Sequence, residues 1–364
     1  MEYRIHPKTG DRIGIVGIGT SAICDTPEKE AVAALVYAHE QGVNYMDLAT
    51  AGAKTFRYAA RAFSAVRGEV FYQVHFGANY ETGAYGWTLD LDTVKRQVDW
   101  QLKELKTDYI DYGFIHCLDE EKDWRRYQDN GVLDWLLKLK KSGAVRHIGL
   151  STHTPQVAET ILDTGLVEQL MFSINPGYDY HEGDYAIGGA RERMDLYRRC
   201  AAEGVGIAVM KPYSAGQLLD EKTSPFGKAL TPVQCIQYAL DKPGVLTVLP
   251  GVRDTADVRA ALAYFDAPEE ARDYSLLGAC APRDAAGVCV YCRHCHPCPA
   301  GLDVGLINKY YDLARAGDAM AADHYAKLSR RAVDCTGCGH CDSRCPFGVA
   351  QSARMGEIAA YFGR

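Results

Sequence analysis

The chain has 364 residues, 47% of them apolar, with a formal net charge of −7 and a pI near 5.9. That length holds one large domain plus a small one, and the acidic balance leaves no basic stripe to neutralise phosphates, which excludes nucleic acid and anionic membranes as partners. The charged start, Met1 to Arg12, lacks an apolar signal core and no window approaches a membrane span, so a cytoplasmic protein is expected.

From residue 13 to about 265 short apolar strands alternate with amphipathic helices. The predicted strands are Ile15 to Gly17, Tyr45 to Leu48, Val70 to His75, Ile110 to Phe114, Val145 to Gly149, Leu170 to Ile174, Gly206 to Met210 and Val245 to Leu249. Helices fall between them, with start and stop signals such as Thr26-Pro27 then Gly42, Thr154-Pro155 then Gly165, and Thr231-Pro232 then Pro243-Gly244. Eight strand-helix units in about 250 residues is the arithmetic of a (β/α)8 TIM barrel, whose site lies at the C-terminal strand ends. A doubly wound sheet is the alternative, but no Gly-x-Gly-x-x-Gly opens the first helix. The reading divides the chain into a barrel over 1–265, a connector over 266–288 and a small module over 289–364. In that module Val304 to Ala316 and Asp318 to Arg330 read as helices, with an apolar stripe on Leu306, Ile307, Tyr310, Tyr311 and Leu313. A mainly helical ferredoxin-type module is therefore expected.

Eight of the thirteen cysteines lie in that module. The first run is Cys289, Cys292, Cys295 and Cys298; the second is Cys335, Cys338, Cys341 and Cys345. Each closes on Cys-Pro-x-Gly. Two-residue spacing lets three thiolates curl around one cluster, and the proline fixes the exit of the fourth. Structural zinc prefers paired Cys-x2-Cys knuckles on a long spacer. The pattern predicts two [4Fe-4S] clusters with crossed ligands: Cys289, Cys292 and Cys295 with Cys345, and Cys335, Cys338 and Cys341 with Cys298. The remaining cysteines, Cys24, Cys117, Cys200, Cys235 and Cys280, are scattered as free thiols in a reducing compartment would be.

Four stretches in the barrel resemble the aldo/keto reductases: Gly42-Val-Asn-Tyr-Met-Asp47, Thr107-Asp-Tyr-Ile-Asp-Tyr112 leading to His116, Val145-Arg-His-Ile-Gly-Leu-Ser151, and Leu249-Pro-Gly-Val-Arg253. With the cysteine tail the chain resembles the iron-sulfur branch of that family over essentially its full length. The resemblance implies NADPH-dependent carbonyl reduction by an Asp, Tyr, Lys and His tetrad. Asp47 and His116 match two members, but the tyrosine position is Gly52 and the lysine position is His75. Glycine donates no proton. Ser151 matches a residue that holds the nicotinamide amide, and Arg253 sits where the family binds phosphate. Met210 stands where an aromatic stacks on nicotinamide, and Ala260 and Ala261 replace the adenine-binding pair.

The residues themselves still permit chemistry at the barrel mouth. Asp47 opposite His75 would form an ion pair, and His116 would be a second proton-transfer group. Lys211, ending the seventh strand, would anchor an anion or reach solvent; Cys117 and the acids after it read as exposed loop. The loop after strand three carries Phe76, Tyr80, Tyr85 and Trp87, and the loop after strand six Tyr178, Tyr180 and Tyr185, interleaved with Asp179, His181 and Asp184. These tyrosines would stack on a substrate ring, replace the missing phenol, or pack against the cysteine module.

The expectation is an iron-sulfur oxidoreductase that passes electrons between clusters and a small organic substrate, aromatic or hydroxylated, with an external electron donor. NADP(H) is a further candidate cofactor on the resemblance. A flavin would link one-electron to two-electron steps, although no residue singles it out. The alternatives are an NADPH-dependent carbonyl reductase with structural clusters, a non-redox lyase or isomerase, and an electron-transfer partner on the same barrel.

Overall fold

The computed structural model describes residues 1–180, 187–279, 286–315, 318, 320–345 and 347–363. His181, Asp184, Tyr185, Cys280 and Pro346 lie outside the described residues. Among the described residues twelve strands are formed: β1 Tyr3–Ile5, β2 Arg12–Gly14, β3 Ile18–Gly19, β4 Tyr45–Asp47, β5 Phe71–Phe76, β6 Ala78–Asn79, β7 Gly86–Trp87, β8 Ile110–Ile115, β9 Val145–Ser151, β10 Gln169–Ser173, β11 Gly206–Met210 and β12 Val245–Val248. Eight of them make one sheet in the order β3, β4, β5, β8, β9, β10, β11, β12. Parallel bridges from Val16 to Val248 and from Gly19 to Gly251 close it into a barrel. The first predicted strand thus falls a few residues early, because its pairing is split between Val16 and β3.

By packing, the chain forms two compact units. One comprises Met1–Ile174, Val205–Pro212 and Leu246–Asp266; the other comprises Asn175–Gly204, Tyr213–Val245 and Ala267–Arg364. In the first, strand alternation sends Tyr45, Tyr112, Phe114, Met171, Ala208, Met210, Leu246 and Leu249 into a shared buried cluster inside the barrel. Gly149 is required there: a Cβ would lie 2.3 to 2.5 Å from ring atoms of Phe114. Phe114 is fully buried, with its ring centroid 5.4 Å from that of His75. Gly149→Ala should therefore cost about 1–3 kcal/mol by overpacking, read as a lower urea midpoint at unchanged slope.

In the second unit, helix Ala190–Ala202 packs on helix Val304–Arg315 of the cysteine module. Arg198 Nη2 meets Asp312 Oδ2 at 3.0 Å, and Tyr291 Oη donates to the same oxygen at 2.9 Å. The fully buried Arg193 donates to Asp179 at 2.8 Å, and Asp179 also accepts from Tyr197 and Tyr238, each at 2.7 Å. The Tyr180 ring lies 5.7 Å from that of Phe347, so of the loop after strand six this tyrosine packs on the cysteine module. A small core of Leu302, Val304, Ile307, Tyr311, Tyr325, Met355 and Ile358 joins Cys295 and Cys341. Among the described residues no helix is long and apolar enough to cross a membrane.

Candidate functional site

Asp47 ends β4, His75 lies on β5 and His116 follows β8, so alternation brings all three to one end of the barrel interior. All three are buried. His75 Nε2 lies 2.7 Å from Asp47 Oδ1, and His75 Nδ1 lies 2.9 Å from His116 Nδ1. Tyr85 Oη meets His116 Nε2 at 2.8 Å. Four side chains therefore form one line from the half-exposed phenol to the buried carboxylate.

The roles along that line follow from one constraint: an ionised carboxylate only accepts. Assigned from the hydrogen-bond network, His75 donates from Nε2 to Asp47, which leaves its Nδ1 to accept. His116 then donates from Nδ1 and accepts from Tyr85 at Nε2. Burial, and next the neighbouring His75, push the His116 pKa well below 6.5, so its imidazole is neutral, as this pattern needs. Gln73, two residues before His75 and on the same face, donates to Asp47 Oδ1 at 3.0 Å. Its amide is oriented by Tyr45, whose hydroxyl donates to Gln73 Oε1 at 2.7 Å while accepting from Gln169.

Tyr85 is delivered by the hairpin of β6 and β7, which follows β5 directly. The hairpin tip pairs with the segment around Gly52: Gly52 bridges Ala84, Tyr85 N donates to Ala51 O at 3.0 Å, and Ala53 N donates to Gly83 O at 2.9 Å. A Cβ at Gly52 would sit 3.3 Å from Cys24 Cβ, so a side chain there meets a wall. Trp87 Nε1 donates to His116 O at 3.2 Å. Tyr80 is buried and donates to Thr50 O at 3.1 Å.

A second group lies nearby in the same unit. Lys211 Nζ is 2.8 Å from His153 Nε2, and His153 Nδ1 is 3.0 Å from Asp119 Oδ2. Burial pulls Lys211 down to about 8, against the pull of Cys117 and Asp119. Burial would raise Asp119, but its hydrogen bond and charge pairing with His153 hold it at about 2. Cys117 corrects the exposed-loop expectation: it is half-buried, and burial followed by Asp119 pushes its thiol up to about 12. It is no thiolate at neutral pH.

Of the residues carried over for a nicotinamide dinucleotide, Ser151 ends β9 and is buried. Arg253 closes on Asp257, with Nε to Oδ2 at 2.8 Å and Nη2 to Oδ1 at 3.1 Å. Asp254 takes the backbone amides of Ala256 and Asp257 at the start of the following helix. A phosphate there would meet two carboxylates at a helix end whose amides are already capped. Met210 and Ala261 are buried and offer no ring or polar group.

The cysteines form two cavities. One is lined by Cys289, Cys292, Cys295 and Cys345, with Gln351 and Phe347 at its wall. The other is lined by Cys298, Cys335, Cys338 and Cys341. Each run thus lends its last cysteine to the cavity of the other. Burial pushes the thiols up, to about 12 for Cys289 and about 11 for Cys292 and Cys341. Such thiols ionise when metal charge compensates them, which suits iron ligation. Polar hydrogens already point at sulfur: Gln351 Nε2 at 3.6 Å from Cys289, Val349 N at 3.4 Å from Cys345, and Gly337 N at 3.4 Å from Cys335.

Comparison with known proteins agrees with both parts. Residues 15–234 match the model of the aldo/keto reductase family, and residues 285–349 match that of a 4Fe-4S dicluster domain. The chain is 23% identical over 296 residues to L-galactose dehydrogenase of Arabidopsis thaliana, covering 72% of this chain and 88% of that protein. It is 25% identical over 169 residues to the uncharacterized oxidoreductase YqkF of Bacillus subtilis, covering 45% of this chain and 53% of that protein. The holo aldo-keto reductase AKR11C1 of Bacillus halodurans superposes with a TM-score of 0.60 at 20% identity, over 75% of this chain and 94% of that one. A putative aldo-keto reductase of Pseudomonas aeruginosa gives 0.55 at 21% identity, over 72% and 95%. Barrel, family match and cysteine module converge: this chain belongs to the aldo/keto reductase family, as an oxidoreductase that carries a 4Fe-4S dicluster domain.

Proposed function

We propose that this oxidoreductase passes electrons between two [4Fe-4S] clusters and a small organic substrate at the barrel mouth, with protons moved along Tyr85, His116, His75 and Asp47. The observation that carries the reading is the line of four groups at 2.7 to 2.9 Å standing where the tetrad has lost its tyrosine and lysine. Cys289, Cys292, Cys295 and Cys345 would hold one cluster, and Cys335, Cys338, Cys341 and Cys298 the other. Bound clusters would supply single electrons at low potential. The chain's own part is the proton: with Asp47 ionised, the line takes a proton from a hydroxyl at Tyr85 and passes it inward; with one proton added, it delivers outward to a substrate being reduced.

A reductant other than NADPH is favoured by the capped helix after β12 and by the Arg253–Asp257 pair. Anaerobic titration of the iron-replete protein with NADPH should give no saturable change in its fluorescence below the millimolar range. Reduced methyl viologen should support turnover of hydroxylated aromatics or carbonyl compounds. Tight NADPH binding, with turnover that survives iron removal, would overturn the reading.

One observation favours a second reading. Tyr85 is presented beside the Gly52 segment, so its phenol would serve hydride-dependent carbonyl reduction with the clusters structural. The same titration separates the two.

A further inference from the structure

Lys242 follows helix Pro232–Leu240 and is 1% exposed. Lysines are almost never fully buried unless paired. Among the described residues this one makes no ion pair with a carboxylate. Its ammonium donates to Val290 O at 3.3 Å, and it sits over the Tyr238 ring, 3.6 Å from the centroid. Val290 lies between Cys289 and Cys292, in the wall of the buried cysteine cavity. A carbonyl and a ring face are weak compensation for a desolvated charge.

Burial pulls the Lys242 pKa down, and the anionic groups that oppose that pull are Asp179, Asp241, Cys292 and Cys289. Both carboxylates are engaged elsewhere: Asp179 by Arg193, Tyr197 and Tyr238, and Asp241 by Tyr274 and Gln237. Lys242 stands behind Val290, and the arginine that lines the cavity, Arg293, has its guanidinium drawn to Asp303 at 3.0 Å. What remains to balance Lys242 is the thiolate set itself. The other cavity differs: its wall carries no lysine or arginine, and Cys338 is exposed, so water is available there to solvate added charge.

We propose that Lys242 is the built-in counter-charge of the cluster held by Cys289, Cys292, Cys295 and Cys345, and that it raises the reduction potential of that cluster selectively. Reduction adds one electron and changes no bond or proton, so the reduced centre is the more negative state. A fixed cation buried behind that wall, in a low-dielectric interior, stabilises it more than the oxidised one. Burial alone would make this centre hard to reduce; Lys242 offsets that. The proposal rests on the ligand sets given above.

The test is a potentiometric titration of the anaerobically reconstituted full chain, followed by electron paramagnetic resonance, with iron and sulfide measured on each sample. In Lys242→Met, iron content should match the unaltered protein. One of the two couples should shift negative by about a tenfold change in its reduced-to-oxidised ratio at fixed poise, about 59 mV for one electron. The other couple should stay in place, and Lys242→Arg should restore the first. Lys242→Gln, which keeps a donor for Val290 O, must show the same shift and serves if the methionine variant does not fold. An iron-replete variant with both couples unmoved, or both moved alike, overturns the proposal. Iron missing from the unaltered protein instead overturns the ligand assignment.

Discussion

Cys345→Ala is expected to behave like Cys289→Ala and unlike Cys335→Ala, although Cys345 belongs to the second run. Its thiol shares a cavity with Cys289, Cys292 and Cys295, so its loss should remove about half of the iron and sulfide and leave the resonance of the other centre intact. Cys298→Ala should do the converse, because it lines the cavity of Cys335, Cys338 and Cys341. If each run instead served its own cluster, Cys345→Ala would pair with Cys335→Ala, and metal analysis with spectra of the reduced single mutants distinguishes the two patterns. The structural cost should also be large. The core of this module is small, and two of its buried members, Cys295 and Cys341, are themselves ligand candidates. Modules of that size lean on metal for stability, so loss of either set should separate the module's thermal transition from that of the barrel and lower it.

The cysteine pattern was readable because cluster ligation depends on local spacing, and the barrel because strand and helix periods survive in a single sequence. The edges of elements were less so. The strand expected at Ile15 to Gly17 pairs through Val16 and β3, and the acidic run Asp119 to Glu121, expected as exposed loop, leads into the helix Glu121–Asp129. Asp47, His75 and His116 could be found as strand-end residues, and Gln73 was within reach, two positions before His75 on the same face. Tyr85 could be named only as one of several loop aromatics. What sets it apart is the pairing of Gly52 with Ala84, a contact across 32 positions that no local period encodes. The same holds for Lys211 with His153, and for Asp179, whose three donors come from two different helices. Long-range polar partners are chosen by the closed fold, and sequence shows only that such groups exist.

His116→Ala is expected to lower viologen-driven turnover by about 10²- to 10⁴-fold, the range lost when a positioned proton-transfer group is removed. His116 is the middle of the line, so its loss cuts Tyr85 from His75 and Asp47 at once. Tyr85→Phe should cost less, because water at the half-exposed mouth can replace a phenol but not a buried ring. The pH dependence has a definite sign. Burial, and next His75, push the His116 pKa well below 6.5, so the proton-loaded line is favoured towards acid and reductive turnover should fall as pH rises. Oxidation of a hydroxyl substrate should rise with pH, since the unloaded line is then the base. The sharpest measurement is the double mutant. If the groups act in series, His75→Ala with His116→Ala should be no slower than either alone, as for residues that work as a unit. Losses that multiply would mean that each histidine touches the substrate separately, and the line from Tyr85 to Asp47 would then be a packing arrangement with no part in moving protons.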